Sequence, residues 1–372
     1  MTRVRALELR LVALPLVRPF RTSFGEEREK ECILVRLETD GAEGWGECVA
    51  GPRPDFSGEF NEGAWLAIRD HLAPALLAAG DVGPADLAGV LAGTRGNRMA
   101  KAAVEMAFLD AHLREEGRSL ASFLGATRDR VACGVSVGIT ENVEELVEQV
   151  AGYVAEGYVR VKLKIEPGRD VERVRAVRES FPAVPLSVDA NAAYTLADAP
   201  VFRALDELGL SMIEQPLSHE DLVDHAELQS QLATPICLDE SIRSPADVRA
   251  ALALGSCRVV NIKQGRVGGL LAARRVHDLC REREVPVWCG GMLETGVGRA
   301  ANLALASLPG FTLPGDTSAS GRYFAADLTE AFVLEPGGTM RVPEGPGLGV
   351  VPRPDRLRAC TRRAEAVGPE KE

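Results

Sequence analysis

The chain has 372 residues, of which 46% are hydrophobic, and a formal net charge of −11. This length exceeds one ordinary domain and suits a barrel of about 200–250 residues with a second, smaller domain. The acidic balance argues against nucleic acid or an anionic membrane surface as the main partner. No stretch of about 20 apolar residues occurs, and eight cysteines without paired spacing indicate reduced thiols in a cytoplasmic protein.

Residues 1–128 predict an α+β domain. Strands are expected over residues 3–12, 31–39 and 43–49, and helices over 62–78, 98–116 and 119–125. The segment between the first two strands contains two prolines and the aromatic residues Phe20 and Phe24. It is either a surface loop or a lid with aromatic contacts to an active site, and the residues alone do not decide between these alternatives.

From residue 129 to 325, short apolar strands alternate with helical segments, which predicts a parallel sheet closed into a (β/α)₈ barrel. The first, seventh and eighth strands are expected at residues 131–138, 285–292 and 311–316. Thr140 is expected to cap a helix over 141–156. Residues 326–372 combine short strands with glycine-rich turns and are expected to return to the first domain.

Each of the five strands that follow the first barrel strand ends in a charged residue. These residues are Lys164, Asp189, Glu214, Asp239 and Lys263, spaced by 24 or 25 residues. Equal steps place them at one end of parallel strands, where the catalytic residues of such barrels lie. Lys162 faces the same side as Lys164 because side chains two apart in a strand point the same way. Six of the 43 basic residues are lysines, and three of those six belong to this group.

Three carboxylates that face one point repel each other unless a cation neutralises them. An all-oxygen set without Cys or His suits Mg²⁺ or Mn²⁺ better than zinc. Strands two and six lie opposite each other in a closed barrel, so a substrate would have a lysine on each face. Lysine, unlike arginine, can lose its proton, and Lys162 beside Lys164 would lower the pKa of Lys164. The pattern predicts removal of a proton alpha to the carboxylate of a small molecule, through an enediolate.

The sequence also resembles the enolase superfamily, in its muconate-lactonizing subgroup. The matching motifs are KLK at 162–164, VDAN at 188–191, IEQPL at 213–217, CLDES at 237–241 and NIKQGRVGG at 261–269. The strings PLVRPFRTSFG, GWGEC, CGVSVG, VWCGGMLETGVGRAAN and FTLPGDTSAS are most similar to the o-succinylbenzoate synthase/N-acylamino acid racemase family. The resemblance covers essentially the whole chain. It implies a capping domain completed by the C-terminal tail, a modified barrel, Mg²⁺ and a homo-oligomer.

The resemblance also implies roles for single residues. Lys164 and Lys263 would be the acid/base pair, and Lys162 would stabilise the enediolate. The implied metal ligands are Asp189, Glu214 and Asp239, and the implied substrate contacts are Ser136, Asn191, Gly291, Met292, Phe20 and Phe24. Arg266 matches a position behind the site that is thought to favour racemization, and Glu240 also belongs to this outer layer.

The chain departs from the family pattern at three places. Gln264 follows the strand-six lysine where proline is common. Residues 51–60, which the resemblance implies to be part of a second loop over the site, have no close match. Asp316 is followed by Thr317 and Ser318, which lacks the DxD motif of dipeptide epimerases. The resemblance leaves open dehydration to o-succinylbenzoate in the menaquinone pathway, racemization of an N-succinylamino acid, or both, and Arg266 favours both. Muconate cycloisomerase, another acid-sugar or amino-acid enzyme of the superfamily, and a non-catalytic metal-binding barrel are the alternatives.

Overall fold

An antiparallel sheet forms from the N-terminal strands, and the last strand of the chain returns to it. In this computed structural model, which describes residues 1–368, its strands are β1 (Thr2–Thr22), β2 (Gly25–Thr39), β3 (Glu43–Cys48), β4 (Asp81–Val82) and β14 (Thr361–Val367). Their order is β14-β1-β2-β3, with β4 also paired to β1. The sheet therefore joins the two ends of the chain, as the predicted fold class requires.

Strands β1 and β2 form one long hairpin. Leu14 lies opposite Lys30 and Thr22 lies opposite Gly25, so the segment predicted as a loop or lid is paired for most of its length. The predicted strand limits at residues 12 and 31 were wrong. Prolines and charges are depleted in strands in general, but here the two arms pair with each other, and a register shift between Pro15 and Phe20 accommodates the irregular residues.

The helices of the N-terminal region pack against this sheet. They are α1 (Asn61–Ala67), a π-helical turn (Ile68–Leu72), α2 (Ala73–Ala78), α3 (Leu87–Val90), a 3₁₀ turn (Leu91–Gly93), α4 (Arg98–Glu115) and α5 (Leu120–Leu124). A Cβ atom on Gly44 or Gly46 of β3 would collide with the backbone of α4 at Ala107 or Ala103. Glycine at these two positions therefore permits the close approach of α4 to β3.

A parallel sheet forms the barrel. Its seven strands follow each other in chain order: β6 (Gly134–Val137), β7 (Arg160–Lys164), β8 (Leu186–Asp189), β9 (Ile213–Glu214), β10 (Ile236–Leu238), β11 (Val259–Ile262) and β12 (Val287–Cys289). The expected strand eight is present only as isolated bridges, from Phe311 to Val287 and from Gly315 to Cys133. Pro314 has no N–H to donate, which explains the irregular pairing. Residues 311–316 nevertheless touch both edges of the sheet and close it.

The remaining elements surround this sheet. The helices are α6 (Val143–Glu156), α7 (Val171–Ser180), α8 (Ala199–Asp206), α9 (Leu222–Ser230), α10 (Pro245–Leu254), α11 (Gln264–Val267), α12 (Leu270–Glu282), α13 (Gly296–Ala306) and α14 (Pro354–Cys360). Two 3₁₀ turns (Leu196–Asp198 and Ser320–Arg322) and a separate pair of strands, β5 (Arg130–Ala132) and β13 (Thr339–Arg341), complete the structure. Within residues 1–368 no helix is long and apolar enough to cross a bilayer.

The predicted cap of α6 was wrong by two residues. The side chain of Asn142 accepts a hydrogen bond from the backbone N–H of Glu145 at 2.8 Å and caps the helix. Thr140 instead donates its hydroxyl to the carbonyl of Asn142 at 2.8 Å. Both side chains are suitable caps, and the backbone of the preceding loop decides which one reaches the helix.

Candidate active site

The carboxyl ends of β7 to β11 bring the predicted charged residues together. Lys164 lies opposite Asp189, and Asp189 lies opposite Glu214 in the pairing of neighbouring strands. Asp239 and Lys263 directly follow β10 and β11. The constant spacing in the sequence therefore corresponds to one cluster at one end of the barrel.

The lysines of this cluster form ion pairs with its carboxylates. The Lys164 ammonium donates to Asp189 Oδ2 at 2.7 Å and to Asn191 Oδ1 at 2.6 Å. The Lys263 ammonium donates to Asp239 Oδ2 at 2.7 Å. Lys164 and Lys263 thus belong to separate ion pairs, on strands that are four positions apart in an eight-membered barrel.

Lys162 lies among several carboxylates. Its Nζ atom is 2.7 Å from Glu214 and from Asp316 and 3.2 Å from Asp189. Burial lowers the pKa of Lys162, but the charges of Asp316, Glu214 and Asp189 together raise it well above its usual value. Lys162 therefore remains an ammonium at neutral pH, and it can stabilise negative charge but is a poor base.

Asp316 neutralises two cations at once. Its Oδ1 atom accepts a hydrogen bond from Arg160 at 2.7 Å, and its Oδ2 atom is 2.7 Å from Lys162. Burial would raise the pKa of Asp316, but Lys162 and Arg160 lower it to about 2. The ring of Trp288 contacts the same two cations, with 4.7 Å from its centroid to the Lys162 nitrogen and 4.8 Å to the Arg160 guanidinium carbon.

Asp189 and Glu214 are neighbouring buried carboxylates whose pKa values are shifted in opposite directions. Burial and then the charge of Asp189 raise the pKa of Glu214. Burial also acts on Asp189, but Lys164 and Lys162 lower its pKa well below the usual range. The two carboxylates repel each other, and the lysine ammoniums beside them offset this repulsion.

The donor set at these strand ends fits a divalent cation in its chemistry. Asp189, Glu214 and Asp239 are buried and offer only hard oxygen ligands. As they stand, no three His, Cys, Asp or Glu side chains of residues 1–368 converge closely enough to hold a metal. Each of the three carboxylates contacts a lysine ammonium through one of its oxygens.

Arg266 and Glu240 lie behind the charged cluster. Arg266 is buried, donates to the carbonyls of Ile242 and Asn261 at 2.6 Å each, and contacts Asp239 through its third nitrogen. Glu240 accepts a hydrogen bond from Asn191 at 3.0 Å. Arg266 therefore contacts Asp239 of the cluster, Glu240 contacts Asn191 beside it, and neither residue lines the cavity in front of the cluster.

A cavity between the barrel mouth and the N-terminal hairpin contains all six predicted substrate contacts. Its walls include Phe20, Phe24, Ser136, Asn191, Gly291 and Met292, together with the three lysines of the cluster. Ser136 is buried, and its hydroxyl has no hydrogen-bond partner in the described part of the chain. Phe20 packs edge-on against Tyr323 with centroids 6.5 Å apart. The hairpin therefore covers the mouth, as the lid alternative requires.

Several residues of this site were not assigned a role from the sequence. They are Asp316, Asn261, Trp288, Phe56 and Lys30. Asn261 donates to Glu214 Oε1 at 2.7 Å. Its position two residues before Lys263 could have indicated that its side chain points to the same side as that of Lys263, because side chains two apart in extended backbone point the same way. Phe56, from the segment without a close match, lies over the Lys263 ammonium at 4.6 Å from its ring centroid. No local pattern predicts this contact, because it joins a loop to a distant strand.

Comparison with known proteins agrees with this geometry. The family model described as "Mandelate racemase / muconate lactonizing enzyme, N-terminal domain" matches residues 6–125, and the one described as "Enolase C-terminal domain-like" matches residues 145–356. An N-succinylamino acid racemase of Amycolatopsis sp is 57% identical and covers 98% of this chain and 100% of its own length.

Two further proteins are similar over nearly the whole chain. An o-succinylbenzoate synthase of Geobacillus kaustophilus is 53% identical and covers 92% of this chain and 91% of its own length. A crystal structure of an enolase superfamily member from Listeria innocua superposes with a TM-score of 0.95 at 44% identity, covering 99% of this chain and all of that one.

Proposed function

Because this chain belongs to the enolase superfamily, in the branch of mandelate racemase and muconate lactonizing enzyme, we propose that its substrates are N-succinylamino acids and the cyclohexadiene precursor of o-succinylbenzoate. The two reactions begin with the same step, removal of the proton alpha to a carboxylate. One observation supports the proposal most strongly: Lys164 and Lys263, on strands two and six of the barrel, line the same cavity.

We assign a different role in the reaction to each of the three lysines. Lys164 removes the alpha proton from one face of the substrate, and Lys263 delivers a proton to the opposite face during racemization. Lys162 keeps its charge because of its three carboxylate neighbours, and it binds the substrate carboxylate and stabilises the enediolate. Dehydration needs only one face, so Lys164 can first remove the proton and then protonate the leaving hydroxyl.

We propose that Asp189, Glu214 and Asp239 hold a divalent cation, Mg²⁺ or Mn²⁺. The chemistry supplied by a bound ion would be electrostatic stabilisation of the charge that develops on the substrate carboxylate. Asp189 and Asp239 would then be the residues that hold the ion, and Lys164 and Lys263, which line the cavity beside them, would be the bases that face the substrate. Their present ion pairs hold them at the strand ends, beside the positions from which they act.

The walls of the cavity support the choice of substrate. Phe20, Phe24 and Phe56 provide aromatic surface for an amino-acid side chain or a cyclohexadiene ring. Both proposed substrates have two carboxylates, so we expect a succinyl amino acid to be preferred over its acetyl analogue. The dipeptide alternative loses support, because both oxygens of Asp316 are bound by Arg160 and Lys162 and leave no free carboxylate for a dipeptide ammonium.

We also propose the division of the chain into a capping domain over 1–128, a barrel over 129–325 and a C-terminal segment over 326–372. A homo-oligomer in the cytoplasm, serving menaquinone synthesis, completes the proposal. Support for a reducing compartment comes from the cysteines, since all eight are buried and none forms a disulfide.

Side-by-side kinetics would test the function. The Mg²⁺-loaded protein is assayed with an N-succinylamino acid, its N-acetyl analogue, the cyclohexadiene precursor, a muconate and a dipeptide. The proposal requires turnover of the first and third compounds and a lower kcat/KM for the acetyl analogue. Turnover of the muconate or the dipeptide without turnover of the first three would replace this proposal by one of the alternatives.

A further inference from the structure

A fourth lysine faces the same cavity from the opposite wall. Lys30 belongs to β2, is 4% exposed as a residue, and lines the cavity with Lys162, Lys164 and Lys263. Four of the six lysines of the chain therefore surround one cavity. Because the chain uses arginine almost everywhere else, the concentration of lysine here extends the sequence signal of the barrel strands to the capping sheet.

The Lys30 ammonium has an incomplete set of partners. It donates to the backbone carbonyl of Met292 at 2.7 Å. Within residues 1–368 no carboxylate oxygen lies within 4.0 Å of its nitrogen. A buried ammonium without an anion is costly, so this position would be stabilised by an anionic group in the cavity.

The acidic neighbour of Lys30 is occupied elsewhere. Both oxygens of Glu47 accept hydrogen bonds from Thr295, at 3.0 and 2.6 Å, and one of them also accepts from the N–H of Gly298 at 2.9 Å. Burial raises the pKa of Glu47 to about 7. The oxygens of Glu47 are thus directed to Thr295 and Gly298, and Glu47 does not pair directly with Lys30.

The other cations on the cavity wall have carboxylate partners. Lys162, Lys164 and Lys263 pair with the carboxylates at the strand ends. Arg53 pairs with Asp55 at 2.9 Å, and its side chain is 64% exposed. Among the described cations that line the cavity, Lys30 alone has no carboxylate partner, and it faces the region in front of the strand-seven residue Met292.

We infer that Lys30 binds the terminal carboxylate of the succinyl group, and that it makes the enzyme selective for dianionic acyl substrates. This inference rests on the proposed function, because it assigns the second carboxylate of the same substrate. The alpha-carboxylate meets Lys162 at the barrel mouth, and the succinyl carboxylate meets Lys30 at the capping sheet. A charge-assisted hydrogen bond at a buried position gives such a contact both strength and direction.

The test compares three acyl groups on one amino acid: N-succinyl, N-acetyl, and the succinamoyl group in which a neutral amide replaces the terminal carboxylate. Lys30→Gln can keep a donor for the Met292 carbonyl but removes the charge. We expect it to raise KM for the succinyl substrate by about 10-fold to 100-fold and to leave KM for the two neutral acyl groups nearly unchanged. Lys30→Arg should restore most of the selectivity.

A matched control distinguishes binding from a structural role. Lys101→Gln removes another partly buried lysine, on α4 and outside the cavity, and should change none of the KM values. If Lys30→Gln changes KM for all three acyl groups equally, Lys30 only joins the capping sheet to the barrel and the inference is wrong. If the wild-type protein turns over none of the three compounds, the proposed function itself fails, which is a different outcome.

Discussion

The Lys263 ammonium lies 2.7 Å from Oδ2 of Asp239, and the other oxygen of the same carboxylate contacts Arg266. One buried aspartate is thus shared between a proposed base and a guanidinium behind it. The charge on Arg266 reduces the hold of Asp239 on Lys263, and its hydrogen bonds to two backbone carbonyls fix it in place. We therefore propose that Arg266 positions Lys263 through their shared contact with Asp239.

Replacement of this guanidinium should affect one face of the substrate more than the other. In Arg266→Met, Asp239 would lose its second cation and hold the Lys263 ammonium more firmly in the ion pair, so that the lysine is less free to turn to the substrate. We expect exchange of the alpha proton through Lys263 to fall by about 10-fold or more, with a smaller effect on exchange through Lys164. The measurement is the exchange rate of each enantiomer in D₂O. As a control, Arg243→Met replaces an exposed arginine that follows β10, the strand that precedes Asp239. It should have no such effect. An equal loss on both faces would contradict the positioning role.

The two proposed bases should be separable by mutation. Lys263→Ala should abolish racemization but still exchange the alpha proton of the enantiomer that Lys164 faces. Lys164→Ala should show the mirror result. Each substitution should reduce the affected exchange by about 10²-fold to 10⁴-fold, the usual contribution of a positioned base. Racemization by either variant at near the wild-type rate would exclude the two-base mechanism.

The proposed metal ligands lead to a prediction for binding as well as for activity. Excess chelator should abolish turnover, and Mg²⁺ or Mn²⁺ should restore it. Mg²⁺ should also raise the Tm of the wild-type protein, because a ligand of the native state stabilises it. This shift should shrink in Asp239→Asn and persist in Glu227→Gln, a change at an exposed carboxylate of α9. Full activity of metal-free protein in chelator would contradict the assignment.

A buried carboxyl outside the active site predicts a pH effect on stability. Glu105 accepts a hydrogen bond from the N–H of Leu271 at 3.0 Å, and burial raises the pKa of Glu105 from 4.5 to about 7. Its protonated form is thus favoured in the folded state. The stabilisation that this protonated carboxyl gives to the folded state is fully present below 4.5, the pKa of Glu105 in the unfolded chain. It is lost as the pH rises through about 7, the pKa of Glu105 in the folded state.

The neutral variant Glu105→Gln removes this titration. The free energy of unfolding of the wild type, relative to that of the variant, should therefore decrease as the pH rises from 4.5 to 7. The decrease should amount to up to about 3 kcal/mol. Urea unfolding of both proteins at pH 5 and pH 8 measures the difference. If the difference is the same at both pH values, the carboxyl does not titrate with a raised pKa.

The charged residues of the barrel could be predicted from the sequence because their signal is local. Each one ends a short apolar run, and the constant spacing of Lys164, Asp189, Glu214, Asp239 and Lys263 reports one repeated unit. The structure places them at adjacent strand ends. Strand β9 has only two residues, yet Glu214 was predicted correctly as its last residue. The prediction depends on the position of the charge at the end of an apolar run and not on the length of the strand.

The features that the sequence did not predict depend on distant pairing. The extension of β1 and β2 arises because two irregular arms pair with each other, and strand eight becomes isolated bridges because of Pro314. Lys30 and Met292 are 262 residues apart in sequence, so no motif predicts their hydrogen bond. Because lysine is scarce in the chain, Lys30 could have been singled out as a candidate site residue. Scarcity alone does not predict on which wall of the cavity the residue lies.

Deuterium incorporation by the wild-type protein tests the central claim most directly. The Mg²⁺-loaded enzyme is incubated in D₂O with one enantiomer of an N-succinylamino acid, and the alpha-proton signal is followed by NMR together with the optical purity. We predict loss of the alpha-proton signal, incorporation of deuterium at the alpha carbon, and formation of the opposite enantiomer. An unchanged alpha proton in folded, metal-loaded protein would contradict proton abstraction from this substrate class.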